Sequence, residues 1–105
     1  MYKVIRSIQA TDSIVAILDP PRSGVHSSVI QAIRSCSRIN RLIYISCNAE
    51  SAQTNFVDLA RPTSKKFEGS PFMPIRAVGV DLFPMTPHAE LVMEWSREDA
   101  KNQLE

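Results

Sequence analysis

The chain has 105 residues, 44% of them hydrophobic and 22% charged, which suits one small globular domain and excludes a disordered chain. Its formal net charge of +1 argues against a general electrostatic nucleic-acid binder, but leaves room for RNA as a substrate if basic surface lies elsewhere in a larger protein. Two cysteines, Cys36 and Cys47, without C-x-x-C spacing exclude a disulfide scaffold or structural zinc site and fit a reduced intracellular protein, cytoplasmic or nuclear.

Taken in chain order, Ile14 to Leu18 (IVAIL) is a continuous apolar run rich in β-branched residues. Such a run predicts a strand buried on both faces, as at the centre of a parallel sheet. Pro20 and Pro21 end it and leave Asp19 at its carboxyl end. Ser27 or Ser28 is placed to cap a helix running to about Ser37, with Val29, Ile30 and Ile33 on one face and His26 in the preceding loop. Leu42 to Ile45 is a second buried strand, ending at Ser46-Cys47-Asn48. A helix follows from about Ser51 to Ala60, with Phe56 and Leu59 facing inward, and Pro62 stops it. Thr63 to Ser70 is a polar loop. Pro74 to Val80 and Ala89 to Trp95 read as strands, joined by a Pro-rich connection over 81–88, and 98–105 is a polar tail.

This order predicts an α/β layered domain over residues 1–97. Strands joined by helices are expected in right-handed, parallel βαβ units, and the last strand, reached without a helix, is expected to be antiparallel. Only three glycines occur, and none forms the Gly-rich strand-to-helix turn that opens a nucleotide-type sheet. The pattern is that of half a sheet. No run approaches the roughly 20 apolar residues of a membrane span, and no signal-peptide pattern opens the chain.

Ligands of open α/β sheets bind at the carboxyl ends of the strands, and three reactive segments fall there. Asp19 and Arg22 follow the first strand, a carboxylate and a bidentate donor on a stiff Pro-Pro backbone. Cys47 follows the second, where a thiolate could attack a carbon electrophile. Glu90 opens the last strand, where a carboxylate could act as general base. Alone, each has a blander reading: a turn with a surface ion pair, a structural thiol and a surface glutamate. Cys36, on a helix, is read as structural. Arg61, Lys65 and Lys66 are read as solvated, and Phe72, Phe83 and Trp95 as packing residues.

Together, Leu18-Asp19-Pro20-Pro21-Arg22-Ser23-Gly24-Val25-His26, Tyr44-Ile45-Ser46-Cys47-Asn48 and the 80–90 segment VDLFPMTPHAE resemble the RNA 5-methyluridine methyltransferases, in order and in spacing. The resemblance covers about Ile14 to Trp95. It implies the C-terminal half of a Rossmann-like, S-adenosylmethionine-dependent methyltransferase domain acting on RNA, with tRNA the closest match. It assigns Cys47 as nucleophile and Glu90 as base, with Asp19, Arg22, Asn48 and His88 against substrate or cofactor.

The chemistry accounts for the residue types. A thiolate adding to C6 of uracil turns C5 into a carbon nucleophile, and a carboxylate then removes the C5 proton so that the thiolate can leave. The family's Gly-rich cofactor turn precedes this region, so the chain is expected to be inactive alone and to expose a sheet edge that favours self-association. A noncatalytic RNA- or protein-binding module is the competing reading, and a Cys47→Ala change would leave its binding intact. A Cys47–His88 thiol hydrolase and an amine methyltransferase are lesser alternatives.

Overall fold

The computed structural model describes residues 2–6, 14–80 and 90–97, and the predicted 81–88 connection and 98–105 tail lie outside them. In chain order the elements are β1 (Tyr2–Arg6), β2 (Ile14–Leu18), α1 (Ser27–Ser35), β3 (Ile39–Ser46), α2 (Ala49–Ala60), β4 (Met73–Val80) and β5 (Glu90–Ser96). The strands form one five-stranded sheet ordered β1-β2-β3-β5-β4.

The α/β class and the antiparallel last strand hold, but the expectation of a mostly parallel sheet does not. Among the described strands only β2 and β3 pair in parallel. β1 pairs antiparallel with β2, and β5 lies antiparallel between β3 and β4. The reason is connectivity. β3 and β4 do run the same way around α2, but β5 has inserted between them, so their shared direction never becomes a shared ladder. β1 was not foreseen, because YKVIR shows neither a continuous apolar run nor clean alternation.

Both crossovers, β2–α1–β3 and β3–α2–β4, advance in the same direction along the sheet. Right-handed crossovers of that kind put both helices on one face, and α1 and α2 touch there. The pleat then separates the two sides. Ile14, Ala16 and Leu18 of β2 and Leu42 and Tyr44 of β3 are buried under the helices with Ile30, Ile33, Leu59 and Trp95. Val15, Ile17, Ile43 and Ile45 point to the opposite face and are only half-buried. Burial of the first strand on both faces is therefore not found among the described residues, since no described helix covers the second one.

The helix ends differ from expectation by a few residues, for local reasons. α1 is capped by His26, whose Nδ1 accepts from the Ser28 amide at 3.1 Å, and not by Ser27 or Ser28. α2 begins earlier than predicted because Asn48 caps it, its side chain accepting from the Ser51 amide at 3.4 Å.

The ends of both helices away from their caps are closed by two arginines. Arg34, fully buried in α1, donates to the carbonyls of Asp58, Arg61 and Gly69 at 2.9, 2.8 and 3.0 Å. Arg97, directly after β5, donates to the carbonyls of Ile33, Arg34, Cys36, Ile39 and Ser70 at 2.7–3.2 Å. These carbonyls include the last ones of α1 and α2, which have no partner inside their own helix. Gly69 has φ +71°, and a Cβ there would collide with the Arg34 carbonyl oxygen. Phe67, in the stretch predicted as a polar loop, is buried with the cations of Arg61 and Lys66 within 6 Å of its ring centre.

Candidate active site at the carboxyl end of the sheet

β2 and β3 are parallel, so Leu18 and Ser46 finish at the same end of the sheet. β5 runs the other way and therefore starts there. Ser46 is opposite Leu91 in the β3–β5 ladder, so the next step of that register brings position 47 level with position 90. Directly facing residues on neighbouring strands lie about 5 Å apart between Cα atoms. Across this end of the sheet the lateral order is thus Asp19, Cys47, Glu90 and then Val80, which pairs with Glu90.

Glu90, five residues from the buried Trp95 along β5, falls on the side of the sheet away from α1 and α2, while Asp19 and Cys47 come just past the ends of β2 and β3. Cys47, Asp19 and Arg22 are exposed, and Glu90 and Asn48 are half-buried. Asp19 and Arg22 form no ion pair with each other among the described residues, where the salt bridges are those of Glu94 with Arg41 and Arg76 and of Arg61 with Asp58. Both helices begin at this end, so the positive ends of their dipoles face it. His88 lies outside the described residues. Cys36 is half-buried against the core, in keeping with a structural role. Phe72 and Trp95 are core residues, Trp95 tilted against Phe56 at 5.5 Å.

Two residues that sequence reasoning missed stand behind this end. The Asn55 amide, 3% exposed, receives the Tyr44 hydroxyl at 2.6 Å and the Val25 amide at 3.0 Å, and donates to the Val25 carbonyl at 2.9 Å. Tyr44 is pushed up to about 12, by burial first and by the charge of nearby Cys47 second. An asparagine on the inward face of an apolar helix was the available signal, since a buried amide needs several partners.

A family model described as tRNA (Uracil-5-)-methyltransferase matches residues 4–96. The chain belongs to the tRNA (uracil-5-)-methyltransferase family. It is 52% identical over 93 residues to tRNA (uracil-5-)-methyltransferase homolog A of Homo sapiens, a match covering 89% of this chain and 15% of that protein. To homolog B of Homo sapiens it is 43% identical over 97 residues, covering 90% of the chain and 19% of that protein. Zinc finger CCCH domain-containing protein 24 of Arabidopsis thaliana matches at 38% over 108 residues, covering 77% of the chain and 13% of that protein. The chain thus spans less than a fifth of the length of each of these three relatives. No helix among the described residues is long and apolar enough to cross a membrane, and no group of three or more His, Cys, Asp and Glu there could hold a metal ion.

A family named for methyl transfer implies a methyl donor, so the fit of one can be tested. The strand-to-helix turn after β2 carries a single glycine, Gly24. The place of its Cβ is already occupied by Asn55 Oδ1, 2.7 Å away. No glycine-lined cradle stands open among the described residues.

Proposed function

We propose that this chain is the catalytic part of a longer intracellular enzyme, one that methylates C5 of uridine in RNA, with tRNA the substrate that the relatives' names indicate. The domain would be the C-terminal half of a Rossmann-like fold, with S-adenosylmethionine held mainly by the remainder of the protein. The observation that supports the reading is the β3–β5 register, which ends with Ser46 opposite Leu91, so that the thiol and the carboxylate each belong to the residue next to that pair, with a second carboxylate just past the end of β2.

The roles follow from the chemistry. The Cys47 thiolate adds to C6 of the uracil ring, forming the S–C6 bond and sending the C5–C6 π pair into an enolate with its nucleophilic carbon at C5. S-adenosylmethionine would supply the methyl group from its sulfonium, the S–CH3 bond breaking as the C5–CH3 bond forms and the donor leaving as a neutral thioether. The Glu90 carboxylate removes the C5 proton, the C–H pair re-forms the C5–C6 double bond, and the S–C6 bond breaks to return the thiolate. Asp19 and Arg22 line the same end, where they can hydrogen-bond the base or a phosphate, and Asn48 holds the start of α2 directly behind Cys47. His88 is carried as a supporting residue. The uridine must leave its stack to reach a thiol at a sheet end.

Glu90→Gln in the full-length enzyme tests the assignment of the base. Addition and methylation still proceed, the C5 proton stays, and a methylated protein–RNA adduct accumulates that survives denaturing electrophoresis. Turnover at the wild-type rate with no adduct would remove Glu90 from the mechanism.

The sheet edge bears on how the isolated chain behaves. β4 is an edge strand, exposed along nearly all its length, with Met73, Ile75 and Val78 at 70%, 47% and 52% exposure. Pro74 and Arg76 blunt such an edge without removing it. The chain is proposed to self-associate weakly through β4, with a sedimentation coefficient that rises with concentration and falls back when Val78→Lys is introduced. A concentration-independent monomer would refute this.

A further inference from the structure

The loop from Asp19 to His26 carries two of the proposed site residues, yet it has few contacts of its own. Its internal bond is a turn in which the Gly24 amide donates to the Pro21 carbonyl at 2.8 Å. Pro20 is buried, Val25 packs against the core and His26 caps α1, and the hydrogen bonds that tie the loop to α2 come from one side chain. Asn55 pairs with both backbone groups of Val25, much as a neighbouring strand would, and its Oδ1 also receives the Tyr44 hydroxyl.

The geometry allows only one amide orientation, because Val25 offers one donor and one acceptor and the Tyr44 hydroxyl donates to the same oxygen as the Val25 amide. The approach is so close that residue 24 must lack a side chain. Gly24 adopts φ +85°, a conformation favouring glycine, and any Cβ there would meet Asn55. Tyr44 completes the link, since it lies on β3 three residues before Cys47. It is also held edge-on against Phe56 of α2, with ring centres 5.0 Å apart.

We propose that Asn55 is a positioning residue, fixing the Asp19–His26 loop against β3 through Val25 and Tyr44 so that Asp19 and Arg22 stand at the same sheet end as Cys47 and Glu90. The catalytic meaning of this rests on the uracil-methylation reading above. The mechanical claim, that one amide orders the loop, does not.

The test has two arms. In this chain, limited trypsin digestion compares cleavage after exposed Arg22 with cleavage elsewhere in wild type, Asn55→Ala and Tyr44→Phe. Asn55→Ala is expected to speed cleavage after Arg22 at least tenfold over the other sites, and Tyr44→Phe, which spares both Val25 bonds, by a smaller factor. Uniform acceleration at all sites would show plain instability and overturn the proposal, and should Asn55→Ala not fold, Tyr44→Phe carries the comparison alone. In the full-length enzyme, Asn55→Ala is expected to lower kcat at saturating RNA at least tenfold, while Cys47 keeps its wild-type rate of alkylation by iodoacetamide in a Cys36→Ala background. An unchanged kcat beside an inactive Cys47→Ala enzyme would overturn the positioning role and leave the mechanism standing. An active Cys47→Ala enzyme would overturn the mechanism, and the positioning role with it.

Discussion

Cys47→Ala in the full-length enzyme is expected to abolish methyl transfer to unmodified RNA, lowering the rate by more than about a thousandfold, because in the proposed mechanism Cys47 supplies the bond to C6. The fold should be untouched. Cys47 is exposed beyond the end of β3, and α2 is capped by the next residue, Asn48. Circular dichroism and the urea midpoint should therefore match wild type while activity is lost. RNA containing 5-fluorouridine adds a second readout. Fluorine at C5 cannot be taken by a carboxylate, so wild type stays trapped on the RNA and Cys47→Ala does not. Activity or trapping in Cys47→Ala would reject the covalent mechanism and favour a module that only binds.

The largest expected effect on stability is at the other end of the molecule. Arg97→Ala removes one guanidinium from five carbonyls, those of Ile33, Arg34, Cys36, Ile39 and Ser70, and uncovers the Phe72 ring, whose centre lies 4.4 Å away. Burial, and then the charge of Arg34, pulls Arg97 down to about 10, so it remains a cation at neutral pH. Leaving one buried acceptor unpaired costs about 1–3 kcal/mol. The Ile33 and Cys36 carbonyls keep the Cys36 and Ile39 amides as partners, so the cost falls on fewer than five acceptors, and a loss of about 3 kcal/mol is expected, a large share of a small domain's stability. For a domain of this size that is a fall in Tm of roughly 12–24 °C. Arg97→Lys should recover only part of it, since an ammonium cannot reach five acceptors spread around a plane. A Tm within 3 °C of wild type for Arg97→Ala would mean these bonds are replaced by solvent at no cost.

Much of this was legible in the residues and some was not, for identifiable reasons. The IVAIL and LIYI runs mark strands, with one face of each buried rather than both, and their ends mark Asp19 and Cys47. The inward row of Ile30 and Ile33 is likewise plain from its spacing. Arg34 and Asn55 share helix faces with apolar residues, and their burial makes sense only once carbonyls at 58, 61 and 69 and the backbone at 25 are brought beside them, which no local pattern encodes. His26 as a cap was missed because caps are sought among serines, although an imidazole nitrogen accepts equally well. The strand direction of β5 was anticipated, its insertion between β3 and β4 was not. That insertion is what brings Glu90 level with Cys47, so the residue types of the site could be read in advance and their adjacency could not.

The arginine-closed end has a further consequence for how an RNA would arrive. Besides Arg34 and Arg97, the exposed cations Arg38, Arg41, Arg61, Lys65, Lys66 and Arg76 belong to that half of the molecule, against the carboxylates of Asp58, Glu68 and Glu94 among the described residues. Asp19, Glu50 and Glu90 belong to the half that carries Cys47, with Arg22 as the exposed cation beside them. The eight-residue length of β3 separates the two ends by about 23 Å. A polyanion diffusing toward this domain would be steered to the end opposite the thiol. On the proposed function, presenting a uridine to Cys47 would then fall to parts of the enzyme beyond this chain.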